Sequence, residues 1–292
     1  MPAIAQLELL FVVAALVACS GAAPAPSASS GPPLERVDLH LSSPNGLSGL
    51  AADEQGRLWA IAERERVLLR IVDGRVEARV PIDGVPEGLD TESLAYVGDG
   101  VFAAGTESMD EDRTSDVILL LRVEGERARV AERIEMPYAL WPGVHAEENH
   151  GIEALCHVDG TLIAVLEDVL DDPRRQLLGR YAIAQRRWSA SMVATTSERG
   201  KIAGLTCRRA SGSIEALAIE RHFETMRVVR FDPMRDGMID PQVVLPLEGR
   251  LPGDPNLEGI ELDGATIVLV VDNQYRGLSG PNELVRVTLP RP

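Results

Sequence analysis

Short apolar runs separated by turns rich in Gly, Asp and Ser follow one another along the chain. Runs of this length between turn signals predict strands. They fall at 47–52, 57–62, 67–72 and 75–80, then at 92–96, 101–105, 117–123 and 129–135. Further groups fall at 153–157, 161–166, 177–183 and 188–194, and at 202–207, 214–219, 226–231 and 242–247. A last group, 258–262, 266–271 and 284–289, is one strand short. The segment Arg36–Leu41 alternates apolar with polar and has no partner of its own, so it is expected to supply that strand and latch a ring shut.

Each group opens on one motif. Its copies are Gly46-Leu47-Ser48-Gly49-Leu50, Asp90-Thr91-Glu92-Ser93-Leu94, Gly151-Ile152-Glu153-Ala154-Leu155, Lys201-Ile202-Ala203-Gly204-Leu205 and Asn256-Leu257-Glu258-Gly259-Ile260. Successive copies start 44, 61, 50 and 55 residues apart. A four-stranded unit repeating at about 50 residues predicts an all-β propeller. Five blades are counted, with six as the alternative if one has diverged. The longest spacing reflects a loop at 136–150 that holds two prolines, His145 and His150.

In such a ring the innermost strands start at one mouth of the central channel, so Ser48, Glu92, Glu153, Ala203 and Glu258 converge. Three carboxylates that close cannot all stay ionised without a cation. An all-oxygen donor set favours a hard ion, and Ca²⁺ tolerates irregular oxygen shells. Ser48, Glu92, Glu153 and Glu258 are therefore the expected calcium ligands. The ends of the second strands return to the same mouth: Glu63-Arg64, Glu107-Ser108, Glu167-Asp168, Glu220-Arg221-His222 and Asp272-Asn273. From these, Glu107, Glu220 and the nearby His150 are candidate proton-transfer groups, and Arg64, Arg221, Asp168 and Asn273 candidate substrate contacts.

Charge narrows the partners. The chain carries a formal net charge of −16, which disfavours nucleic acid and anionic lipid. Lysine occurs once, as Lys201. Residues 9–18 have the length and apolarity of an export signal, and Leu16-Val17-Ala18-Cys19 resembles a bacterial lipobox, although no basic residue precedes it. Residues 1–18 are expected to be a lipoprotein signal and Cys19 the lipidation site. Residues 19–33 read as a flexible Ala/Pro/Ser tether, and 34–292 as a monomeric propeller held at the cell envelope. Cys156 and Cys207 sit three and four residues past their motif positions, so alternation along a strand points them to opposite faces and predicts two buried free thiols. No Gly-x-Ser-x-Gly elbow, phosphate-cradling glycine loop or zinc-type His/Cys spacing is found.

These residues resemble the bacterial family named for the esterase-like activity of phytase, over much of 45–275. The resemblance rests on Asn45 to Leu50, on Asn149 to Leu155 with Leu166-Glu167, on Ile219 to Phe223, and on Leu257 to Ile260 with Asp272 to Tyr275. The Ser, Glu, Glu, x, Glu order also resembles the five-bladed calcium-dependent apyrases, whose fourth module supplies a Ser where this chain has Ala203. The resemblance implies a calcium-dependent hydrolase of phosphoesters or related esters. The alternative is a surface binding module with a structural central ion.

Overall fold

The computed structural model describes residues 31–41, 46–63, 65–167, 169–222, 224–253, 255–273 and 281–289. Cys19, Arg64 and Asp168 lie outside the described residues, as do the export signal and most of the tether. Strand β1 (Leu34–Asp38) comes first. Blade 1 is β2 (Leu47–Ala52), β3 (Leu58–Ala62), β4 (Val67–Val72) and β5 (Arg75–Asp83). Blade 2 is β6 (Leu89–Gly98), β7 (Val101–Ser108), β8 (Ser115–Glu124) and β9 (Arg127–Pro137). Blade 3 is β10 (His150–Val158), β11 (Thr161–Leu166), β12 (Arg175–Ala182) and β13 (Arg187–Ala194). Blade 4 is β14 (Lys201–Ala210), β15 (Ser213–His222), β16 (Thr225–Phe231) and, after the short β17 (Met238–Ile239), β18 (Gln242–Pro246).

Blade 5 holds β19 (Asn256–Asp263), β20 (Thr266–Asp272) and β21 (Glu283–Thr288), with β1 as its fourth strand. Leu34 lies opposite Val287 and Asp38 opposite Glu283. The blades therefore number five, and the N-terminal strand closes the ring as expected. That strand sits about two residues earlier than the alternation placed it. His40 adopts φ 52°, outside extended geometry, so the pairing ends at Asp38.

The core lies in the seams between blades. Trp59 and Leu68 of blade 1 pack with Phe102 and Leu119 of blade 2, and the Trp59 and Phe102 rings are 5.1 Å apart. Each of the other four seams has its own buried apolar cluster. Inner strands of neighbouring blades approach too closely for side chains. A Cβ at Gly49 would stand 2.5 Å from the Leu94 nitrogen, and one at Gly204 2.4 Å from the Glu258 carbonyl oxygen. This close approach is why the residue after the motif position is small in every copy: Gly49, Ser93, Ala154, Gly204 and Gly259.

One expectation is corrected here. Cys156 and Cys207 are not free thiols but form a disulfide, with Cα atoms 5.7 Å apart. The two side chains do point to opposite faces of their blades, and that is what joins them. Each blade lays one face against the opposite face of the next. Cys156 on β10 faces blade 4, and Cys207 on β14 faces blade 3, within a single seam. Opposite parity is what lets the two sulfurs meet.

Candidate functional site at the channel mouth

The five motif positions share a backbone device that the residue pattern alone does not reveal. In every inner strand the pairing register skips the motif residue. Leu47 opposes Ala62 and Gly49 opposes Ile61, which leaves Ser48 over. The same irregularity falls at Glu92, Glu153, Ala203 and Glu258. A bulge inserts one unpaired residue and re-aims its side chain. Five bulges at one level place these side chains at one mouth.

Cross-strand register defines a second ring at the same level: Glu63, Glu107, Glu167, Arg221 and Asp272. Glu107 pairs with Asp90, Arg221 with Lys201 and Asp272 with Asn256. Glu63 and Glu167 donate their backbone N–H to the carbonyls of Gly46 and Gly151, which puts them at the corresponding place in blades 1 and 3. In the second ring only blade 4 departs: it brings Arg221 where the other four blades bring a carboxylate, with Lys201 opposite it across the strand pair.

The mouth is thereby divided. On the blade 3 to 5 side, Lys201 Nζ lies 3.4 Å from Glu153 Oε2 and bonds Glu167 Oε1, and Arg221 bonds Glu258 Oε1. Asn256 Nδ2 donates to Glu258 Oε1 at 2.7 Å and to Asp272 Oδ2 at 2.9 Å. On the blade 1 and 2 side, Glu63, Glu92 and Glu107 each bring a carboxylate oxygen within 4.8 Å of the others. Glu92 Oε1 is buried and accepts no hydrogen bond. At an effective dielectric of about 20, two charges at this spacing repel by roughly 3 kcal/mol.

The titration of these groups follows. Burial, then the charges of Glu107, Glu153, Glu63 and Glu258, holds Glu92 well above the usual carboxylate range. Burial and then Glu153 and Glu63 push Glu107 up to about 9. Burial raises Glu153 and Glu258 to about 7, with Lys201 and Arg221 offsetting part of the effect. Burial opposes the charge on Lys201, but Glu153 and Glu167 outweigh it and keep the amine protonated.

The other expected residues divide. Ser48 is buried and donates its hydroxyl to the carbonyl of Thr91, the residue before Glu92, at 2.7 Å. His150 opens β10, with Nδ1 2.8 Å from the Glu148 carbonyl oxygen. A carbonyl only accepts, so the neutral ring carries its proton on Nδ1 and its lone pair on Nε2. That Nε2 is 3.9 Å from Glu167 Oε1. Asn273 is buried at the end of β20, beside Asp272.

Glu220 is the correction within the set. The motif spacing aligns it with Glu107, but its cross-strand partner is Ile202, which corresponds to the Thr91–Thr106 pair of blade 2. The residue at the mouth is its neighbour Arg221. Glu220 is fully buried and accepts four hydrogen bonds, from N and Oγ1 of Thr196 and from N and Oγ of Ser197, at 2.7–2.9 Å. It fastens the 195–200 connection and is not an open base. Glu220→Gln replaces one acceptor oxygen by a donor against two donors; denaturant unfolding should show a loss of about 2–3 kcal/mol.

Sequence reasoning does not single out Arg113. Its buried guanidinium pairs with Asp116 at 2.8 Å and donates to the carbonyls of Glu147 and His150 at 2.7 and 2.8 Å. It thus pins the long loop before β10, and His150 with it, to blade 2. A lone arginine in a turn carries no pattern from which these carbonyl contacts could be foreseen.

The family model described as "Phytase-like: Esterase-like activity of phytase" matches residues 43–275, a span that contains both rings. The chain belongs to this phytase-like family. Among solved structures, the phytase-like chain is similar to the PQQ-bound aldose sugar dehydrogenase of Streptomyces coelicolor, at 15% identity and TM-score 0.53, covering 88% of this chain and 99% of that one. It is also similar to a putative oxidoreductase (glucose dehydrogenase) of Thermus thermophilus, at 13% identity and TM-score 0.52, covering 88% and 100%. At these identities the likeness is one of fold. No curated protein matches the phytase-like chain in sequence.

Proposed function

We propose that this protein is an exported, lipid-anchored, calcium-dependent hydrolase of phosphoesters or related esters, acting at the acidic mouth of the channel. The observation that carries the reading is the group of Glu63, Glu92 and Glu107, whose oxygens lie within 4.8 Å of one another and include a buried Glu92 oxygen with no hydrogen-bond donor. The donors are all carboxylate oxygens, which fits a hard cation such as Ca²⁺. This group differs from the sequence-level set: it keeps Glu92, adds Glu63 and Glu107, and leaves Glu153 and Glu258 to Lys201 and Arg221.

When bound, the ion would polarise the ester and acidify a water molecule. The chain's own residues supply the rest. His150, at the start of β10 and within 3.9 Å of Glu167, is the candidate to take the proton of an attacking water. Arg221 and Lys201 attract the anionic group across the mouth, and the bulged strands fix all these groups on rigid elements. Export and anchoring rest on residues 9–18 and Cys19, together with a disulfide of the kind that oxidising compartments favour.

The second reading is a non-catalytic binding module whose ion staples blades 1 and 2. It draws on the burial of Glu92 and Glu107, at 8% and 7% exposure, which favours an enclosed ion. A screen of phosphomonoesters, phosphodiesters, nucleoside diphosphates and carboxylic esters, with calcium and with chelator, separates the two. Turnover that chelator abolishes supports the hydrolase. No turnover of any of these substrates, with calcium still bound, supports the module.

A further inference from the structure

Of 29 basic residues in the chain, one is a lysine. That lysine stands at the mouth of the channel, with its side chain 19% exposed. A chain that uses arginine everywhere else has an ammonium here. The geometry accounts for the choice. Lys201 Nζ lies between two carboxylates from a neighbouring blade, Glu153 Oε2 at 3.4 Å and Glu167 Oε1 in direct contact. A guanidinium is a planar fork that needs width. An ammonium is a compact point charge, close to the form of a bound metal ion.

The arrangement mirrors the other half of the mouth. In blade 2, a bulge residue and a second-ring residue, Glu92 and Glu107, form part of the three-carboxylate group. In blade 3 the residues at the same two places are Glu153 and Glu167. There the cation is already supplied by the protein.

We propose that Lys201 is a resident cation standing in the place of a second divalent ion, so that the mouth is a two-cation site with one place filled by the chain itself. Two of the three ammonium donors are taken by Glu153 and Glu167. The third has no partner among the described residues and is left for an oxygen of an anionic substrate. This last role rests on the proposed hydrolase; the occupancy does not.

The test is to count ions. Equilibrium dialysis with radiolabelled calcium, at a salt concentration that suppresses weak surface binding, is run on the wild-type chain, Lys201→Met and Lys201→Arg. Lys201→Met should bind one more calcium ion than wild type, and Lys201→Arg the same number as wild type. An unchanged count in folded Lys201→Met overturns the proposal. So does a gain in Lys201→Arg, because charge would then not be what bars the second ion. Circular dichroism checks the fold. If Lys201→Met does not fold, acetylation of the single lysine in the folded wild-type chain removes the same charge, and the same gain of one ion is required. A wild-type count of zero removes the ion from the proposed function, yet the resident-cation proposal is still decided by whether Lys201→Met binds one.

Discussion

In excess chelator, the melting temperature of this protein is expected to fall as the pH is raised from about 5 to about 9, and saturating calcium should abolish the fall. Glutamates in the unfolded chain titrate near 4.3. In the fold, burial and mutual repulsion lift Glu153 and Glu258 to about 7 and Glu107 to about 9. Between those limits the folded state holds more protons than the unfolded one. Stability is therefore greatest below the unfolded value and is lost as the pH climbs through the folded values. A tenfold change in proton affinity between the two states corresponds to about 1.4 kcal/mol, and the groups titrate as a coupled set rather than singly. A net loss of a few kcal/mol, or roughly 5–10 °C for a domain of this size, is the expected scale. Calcium would replace the protons as the compensating charge, and a ligand that binds only the folded state stabilises it. A flat profile in chelator, or an equal fall with calcium present, would count against an ion held by these carboxylates. Thermal melts across this pH range in both conditions decide the matter.

The second large effect concerns the seam between blades 3 and 4. Replacing both Cys156 and Cys207 by Ser should lower the unfolding free energy by about 3–4 kcal/mol, the chain-entropy value for a loop spanning 51 residues. The double variant should still fold, because the seam has other ties. β17 pairs with β13 across it, and buried Arg180 donates to the carbonyls of Pro233 and Arg235 at 3.1 and 3.0 Å. Urea unfolding of the oxidised protein, the reduced protein and the double variant gives the measurement. Reduced wild type and the double variant should coincide, both displaced from the oxidised form. A difference under about 1 kcal/mol would mean that the blade contacts already hold the two strands together in the unfolded ensemble.

The ring is legible in the sequence because its repeat is written in turn residues and small residues. Gly49, Gly204 and Gly259 mark where inner strands touch, and the apolar runs between turns give strand positions to within a few residues. The first ring is legible for the same reason, since one motif position recurs five times. The second ring is legible in part. Glu63, Glu107, Glu167 and Asp272 fall where strand ends are expected, but in blade 4 the count along β15 slips by one and puts Glu220 where Arg221 stands. That slip conceals the division of the mouth, because it puts an acid in the place of a cation. The disulfide escapes the sequence for a different reason. Parity along a strand is a property of the sequence, but which faces meet is a property of the ring. The bulges and the Arg113 clamp are set by register and carbonyl positions, and neither leaves a mark in residue type.

The latch strand has a consequence for how the protein is made. β1 precedes every other strand of the ring on the ribosome, and its partner β21 follows them all. Whether the chain emerges from the ribosome or from an export channel, the opening strand must wait unpaired until nearly the whole domain has followed it. Ring closure is then a late step that joins the two ends of the domain, and contacts so distant along the chain form slowly. A circular permutant that joins β21 to β1 by a tight turn, and opens the chain between two other blades, would make that pairing a local hairpin and should refold faster at unchanged final architecture.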